Sequence, residues 1–240
     1  VEFDDPIFAD LDGPPIDMVS CDIDGDGADE VAILFSGFPG SVVLFTISDD
    51  GSAPAYIEGS LTEVGNVPVD IDSGDIDGDG VEELLIANSI DSTLSLLQNA
   101  SPLRGTLALT EKVIPISGNF QVLSCAALID WDGDNDRDAV VGVNQLDEDM
   151  EDRYQVVRSL GSDTPVNDVS FNISKYELDD ELVADSAVAV DGANETAFGF
   201  VGGTMFGRVH RGTEDRGTLT LLGDLDGNRI MFIAAKELDD

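Results

Sequence analysis

Asp22, Asp24, Asp26 and Glu30 occupy positions 1, 3, 5 and 9 of a short run. The pattern returns as Asp75, Asp77, Asp79 and Glu83, and again as Asp130, Asp132, Asp134 and Asp138, with starts 53 and 55 residues apart. Four carboxylates that close repel one another, and they cannot all stay ionised in a folded loop unless a cation joins them. An oxygen-only donor set selects a hard cation, and the number of donors favours Ca²⁺ over Mg²⁺. Simple hydrophilic turns would not recur three times in register.

The elements that must hold these acids repeat with them. The run from Pro15 to Asp22 aligns with the run from Pro68 to Asp75. Behind the acids, the apolar stretches 31–35, 84–87 and 139–143 align in turn. Each unit therefore reads as strand, acidic loop, apolar strand. Further β-like segments follow at 41–47, 93–97, 106–113, 154–158 and 169–176, short and bounded by Gly, Asp, Asn or Pro. No segment carries a sustained helical period. Two weaker units keep the rhythm. One runs 186–190, Asp191, Gly192 and 196–201; the other runs 219–224, a short loop through Asn228, and 230–234. Neither retains the carboxylate set, and Phe232 falls where a ninth-position acid belongs.

A period near 50 residues built from about four strands predicts an all-β fold, a β-propeller of about five blades or a partial propeller. Such a sheet has two apolar faces and buries them by stacking on its neighbours. The expected division of the single domain 1–240 is blades at 12–66, 67–118, 119–180, 181–216 and 217–240, the last closed by 1–11.

At the acidic runs the chain resembles the FG-GAP/VCBS repeat family, which includes the calcium-binding blades of integrin α-subunit propellers. Its pattern of Asp, Asp or Asn, Asp-Gly and a final Asp before an apolar strand is matched at 22–30 and 75–83, with Glu as the final acid. It is matched at 130–138 with Asn135 at the sixth position, where Asn tolerates the left-handed backbone that Gly supplies. The similarity weakens after about Lys175. The resemblance implies Ca²⁺ in loops joining the first and second strands of a blade, and it implies no particular activity.

The expected ligands are Asp22, Asp24, Asp26, Glu30 and the Ala28 carbonyl; Asp75, Asp77, Asp79, Glu83 and the Val81 carbonyl; and Asp130, Asp132, Asp134, Asp138 and the Asp136 carbonyl, for about three Ca²⁺ ions. An EF-hand would need a glutamate at position 12 and flanking helices. Position 12 is Ile33, Ile86 and Val141, each in an expected strand. The ions should support folding, because empty loops carry uncompensated repulsion.

Other reactive residue types have plainer readings. Trp131 can be a sugar-stacking platform or, like Ile23 and Ile76 at the same loop position, an apolar plug between blades. His210, with Arg208, Arg211 and Arg216, can grip a carboxylate or sulfate, or form a solvated strand end. Cys21 and Cys125 fall on inner strands, as two buried thiols or one disulfide. Sequons occur at Asn99, Asn172 and Asn194. The sole histidine lies in no nucleophile motif, so no catalytic residue is assigned and no enzymatic activity is expected.

The net charge of −39 argues against nucleic acid and anionic membranes as partners. Three divalent ions would offset only a small part of it. Such an acidic surface with only three lysines suits a halophilic or marine setting, where concentrated salt screens self-repulsion; a calcium-rich extracellular setting is the alternative. No apolar run is long enough for membrane insertion. A chain starting at Val1 fits a trimmed secreted protein or a piece of a longer polypeptide. The expected function is a secreted or cell-surface binding, adhesion or assembly module whose partner is a protein or a cell-surface glycan. The alternatives are a self-assembling subunit of a surface layer or filament, and a polysaccharide hydrolase or lyase domain.

Overall fold

A computed structural model describes residues 14–47, 54–116, 121–129 and 137–145, and the strand backbones at 153–159, 171–177, 184–190, 199–204, 208–213 and 220–224. These residues form four antiparallel sheets, each a meander taken in chain order. Sheet 1 contains β1 (Pro15–Cys21), β2 (Glu30–Phe35) and β3 (Ser41–Thr46), with an outer edge of two short pieces, β4 (Ala55–Tyr56) and β5 (Thr62–Glu63). Sheet 2 is β6 (Pro68–Gly74), β7 (Glu83–Asn88), β8 (Thr93–Asn99) and β9 (Leu109–Pro115). Sheet 3 is β10 (Gln121–Ile129), β11 (Asp138–Gln145), β12 (Arg153–Ser159) and β13 (Phe171–Glu177). Sheet 4 is β14 (Ala184–Val190), β15 (Gly199–Thr204), β16 (Arg208–Thr213) and β17 (Thr220–Asp224). No helix occurs among the described residues.

Sheet packing explains why the central strands read as unbroken apolar runs. Side chains alternate across a strand. In β7, Leu84 and Ile86 enter one core with Cys21, Ile23, Ala32 and Leu34 of sheet 1. Leu85 and Ala87 enter a second core with Ala126, Leu128, Ala139 and Val141 of sheet 3. A sheet between two others has no wet face, so every residue of β7 is buried. Burying each such leucine contributes about 1.5–3 kcal/mol.

The inner strands β1, β6, β10 and β14 follow one another in contact. Their pairing edges are joined by acids. The Ile71 N–H donates to Asp17 Oδ2 at 3.2 Å, the Ala126 N–H to Asp70 Oδ2 at 2.8 Å, and the Leu128 N–H to Asp72 Oδ2 at 2.8 Å. Ser73 Oγ donates to the Ser20 carbonyl at 2.8 Å. Burial, aided by a hydrogen bond to Asp17, pushes the Asp70 carboxyl up to about 8.

One backbone irregularity marks all four units. The register of the first strand against the second shifts between Pro15 and Asp17, Pro68 and Asp70, Leu123 and Cys125, and Ala184 and Ser186. Counted from the first loop acid, or from Asp191 in sheet 4, the bulge falls at one place. Sheet 4 thus keeps the repeat geometry after losing most of its acids.

Several boundaries differ from the sequence expectation. Of the stretch 219–224, expected to belong to a fifth blade opening at 217, Thr220–Asp224 is β17 and pairs with β16 as the fourth strand of sheet 4. A connection of a few residues suits an antiparallel neighbour, and that hairpin outcompetes a new sheet. Residues 1–11 and 225–240, assigned to closing the ring, lie outside the described residues. β9 begins at Leu109. β4 and β5 were not anticipated, being only two residues each. Cys21 and Cys125 are separate buried thiols on β1 and β10.

Candidate metal centre

Each acidic run is the connection between the first and second strands of its sheet. Cys21 pairs with Glu30, Gly74 with Glu83, and Ile129 with Asp138. The ninth position is thus the first residue of the second strand. The ladder holds its backbone, and the side chain is buried at the loop base: Glu30 is 4% exposed and Glu83 3%.

The first loop brings together carboxylate oxygens of Asp22, Asp24 and Glu30, all within 4.8 Å of one another; the second does the same with Asp75, Asp77 and Glu83. Gly25 and Gly27 have φ of +70° and +91°, and Gly78 and Gly80 repeat them at +75° and +81°. Side chains rarely adopt this region, so the doublet folds the loop over its own acids.

The fifth-position acids also hold the turn. Asp26 Oδ1 accepts the Ala28 N–H at 2.8 Å, and Asp79 Oδ1 accepts the Val81 N–H at 2.8 Å. Ala28 and Val81, expected to give carbonyl ligands, are therefore fixed through their N–H groups. In the third run Asp138 is buried at the start of β11. Asp130, Asp132, Asp134 and Asp136 lie outside the described residues, as does Trp131. Its counterparts Ile23 and Ile76 are both sealed between sheets.

The electrostatics are those of acids gathered without a counter-charge. Burial is the main cause of an upward shift of Glu83 to about 9; Asp77, Asp79 and Asp75 add to it, and the Ile76 N–H opposes it. Burial and then Asp24, Asp26 and Asp22 push Glu30 up to about 7. Asp24 is also raised, chiefly by burial. Asp22 Oδ1 and Glu30 Oε2 are buried and accept no hydrogen bond. A divalent cation among these oxygens would replace the missing donors and favour the ionised state. Either triad can hold a metal ion, and the oxygen-only donors suit a hard one.

Two neighbours of the first loop were missed in the sequence. Arg104, in the β8–β9 connection, donates to the Gly25 carbonyl, and the Gly105 N–H donates to the Asp24 carbonyl at 3.1 Å. Asn99 shapes that connection. Its Oδ1 accepts from Ser101 and Ala108, and its Nδ2 donates to the Thr106 carbonyl. The sequon asparagine is thus engaged in holding a turn. The signal available in sequence was rarity: Arg104 is one of 11 cationic side chains against 50 acids. Arg208, His210 and Arg211 fall on β16, which pairs with β15 and β17, with Arg208 as its first residue; Arg216 lies outside the described residues.

Fold and loops together define an all-β, β-propeller-like protein with metal-competent acidic loops. Residues 22–86 match the family model of the FG-GAP-like repeat. No curated protein matches the chain by sequence. A chain in the crystal structure of BBS1N in complex with ARL6DN, soaked with lead, is similar in fold, with a TM-score of 0.56 at 14% identity. The match covers 88% of this chain and 56% of that one, so this chain spans little more than half its length. Among the described residues no helix is long and apolar enough to cross a membrane.

Proposed function

We propose that this protein is a calcium-stabilised, β-propeller-like binding or assembly module, without catalytic activity of its own, that works outside the cell or at its surface. The observation that carries the reading is the double occurrence of one triad, Asp22/Asp24/Glu30 and Asp75/Asp77/Glu83, at one place in two adjacent sheets. Three carboxylates leave room for carbonyl and water oxygens, as Ca²⁺ prefers six to eight ligands, whereas Mg²⁺ demands a tighter octahedron. The loops would be filled at extracellular calcium levels, and the ions would lock the first two strands of each sheet. Partner recognition then falls to loops on a rigid ring, with another protein or a cell-surface glycan as the partner.

Calorimetric titration of metal-stripped protein tests the metal half of this reading. Two or more Ca²⁺ per chain, with Mg²⁺ bound far more weakly, is the expected result; absence of heat with Ca²⁺ overturns it. A glycan array and sedimentation, each with and without Ca²⁺, test the module half. Calcium-dependent retention of a glycan, or calcium-dependent assembly, supports it. Release of reducing ends or unsaturated sugars from a polysaccharide overturns it in favour of an enzyme.

A further inference from the structure

The two loops are not independent, because the second is part of the seat on which the first rests. The Asp22 N–H donates to Glu82 Oε2 at 3.1 Å, and the Glu82 N–H points back to the Asp22 carbonyl at 3.4 Å. A methyl group added at Gly25 would come within 2.9 Å of Val81 Cγ2, so the turn of the first loop lies directly on Val81. Val81 and Glu82 are positions 7 and 8 of the second loop, next to its buried ligand Glu83. Sheet 2 also supplies Arg104 and Gly105, which donate to the Gly25 and Asp24 carbonyls.

The contact recurs one unit later. Arg137 holds position 8 of the third run, and its Cγ would lie 3.4 Å from a methyl group added at Gly74, just before Asp75. In the second and third runs, position 8 therefore lies against the start of the preceding run.

We propose that the two loops take up their ions cooperatively, occupancy of the Asp75/Asp77/Glu83 loop raising the affinity of the Asp22/Asp24/Glu30 loop through Val81 and Glu82. This rests on the calcium reading above. An ion in the second loop draws in its acids and immobilises the segment between Gly80 and Glu83. With that segment fixed, Glu82 and Val81 hold Asp22 and Gly25 near their bound positions, and the first loop loses less freedom when its ion arrives. Linkage makes the effect reciprocal. The side chain through which the loops communicate is Glu82, which is a positioning residue and not a ligand.

The test is a Ca²⁺ titration of the full chain followed by amide NMR, reading the first loop at Gly27 and the second at Gly80. Asp75→Asn with Asp77→Asn disables the second loop and is expected to weaken Ca²⁺ at the first by about tenfold, within the usual range for coupled sites. Glu82→Ala leaves every proposed ligand in place; both loops should still bind, but the first should lose about as much affinity and become insensitive to the second. If Asp75→Asn/Asp77→Asn does not fold, Glu82→Ala alone decides. First-loop affinity unchanged within twofold in the folded variants overturns the coupling and leaves the calcium reading intact. Absence of binding at both loops in the unmodified chain overturns the calcium reading itself.

Discussion

The first and second loops share a sequence pattern and a glycine doublet, but they reach their shape by different means. In the second, Asp75 accepts three N–H groups, from Gly78 at 2.8 Å, Asp79 at 3.1 Å and Gly80 at 2.9 Å. In the first, Asp22 Oδ2 accepts Gly27 at 3.0 Å and its Oδ1 is buried without a donor. The first loop is steadied from outside, by Arg104, Gly105 and Glu82 of the next sheet. The second loop is braced mainly from within, by its own N–H groups, and the first mainly by its neighbour. Matching ligands in sequence therefore do not make matching sites, because preorganisation depends on the bonds around the ligands.

Removing calcium gives the largest expected effect. At a hundredfold excess of free ion over its dissociation constant, each site contributes about 2.7 kcal/mol of stability. Two sites give about 5 kcal/mol, or roughly 10–20 °C in Tm for a chain of this size. Calorimetric melts in EDTA and in millimolar Ca²⁺ measure it, and coincident melts would refute the ion's structural role. Amide exchange in EDTA should also show the first loop opening faster than the second. Equal rates would erase the contrast drawn here.

The pH response of the stripped protein comes next. Glu83 and Glu30 have folded values of about 9 and 7 against an ordinary 4.5, and Asp70 about 8 against 3.8. The folded state keeps protons that the unfolded chain releases. That stabilisation is complete below the unfolded values and is lost as pH rises through the folded ones. Stability in EDTA should therefore fall from about pH 4.5 to 9, and excess Ca²⁺ should flatten the dependence across the Glu30 and Glu83 window. Stability that rises with pH in EDTA would contradict the burial of these acids.

Single substitutions sharpen the comparison. Glu30→Gln and Glu83→Gln each remove a buried ninth-position carboxylate and should weaken their own ion by about a hundredfold, close to 2.7 kcal/mol. In EDTA the glutamine at 83 should preserve or raise Tm, most visibly near pH 9, because no buried charge forms. A large loss of Tm there would mean that the carboxylate holds the loop without a cation. Arg104→Ala should have the smallest effect. It removes a charged donor to the Gly25 carbonyl and should cost the first loop about 1–2 kcal/mol, with the second loop unchanged in the same titration. Equal weakening of both would show that Arg104 acts through the sheet and not through the turn.

Much of the fold was legible because its causes are local. Runs such as 31–35 and 84–87 are apolar at every position, which a strand tolerates only when both faces are covered, and β2 and β7 stand where that pattern put them. The acids of positions 1, 3 and 9 were legible because a tight turn must bring them together whatever surrounds it. The fifth-position acids were harder to place. Asp26 and Asp79 cap a backbone N–H, a competition between ligand and turn that spacing does not settle. The fate of 219–224 was illegible for a related reason: an apolar strand pairs with whichever edge is nearest, and only the folded sheet shows that edge.

By itself, the sequence determined a repeating all-β chain with acidic loops fit for a hard cation, since period, strand chemistry and carboxylate spacing act over a few residues. The tertiary structure alone decided that a loop of one sheet is clasped by Glu82, Arg104 and Gly105 of the next, and that the Asp17, Asp70 and Asp72 carboxylates join neighbouring inner strands. Such contacts join residues some 50 to 80 positions apart, where no local propensity reaches, and they exist only once the apolar faces of the sheets have stacked.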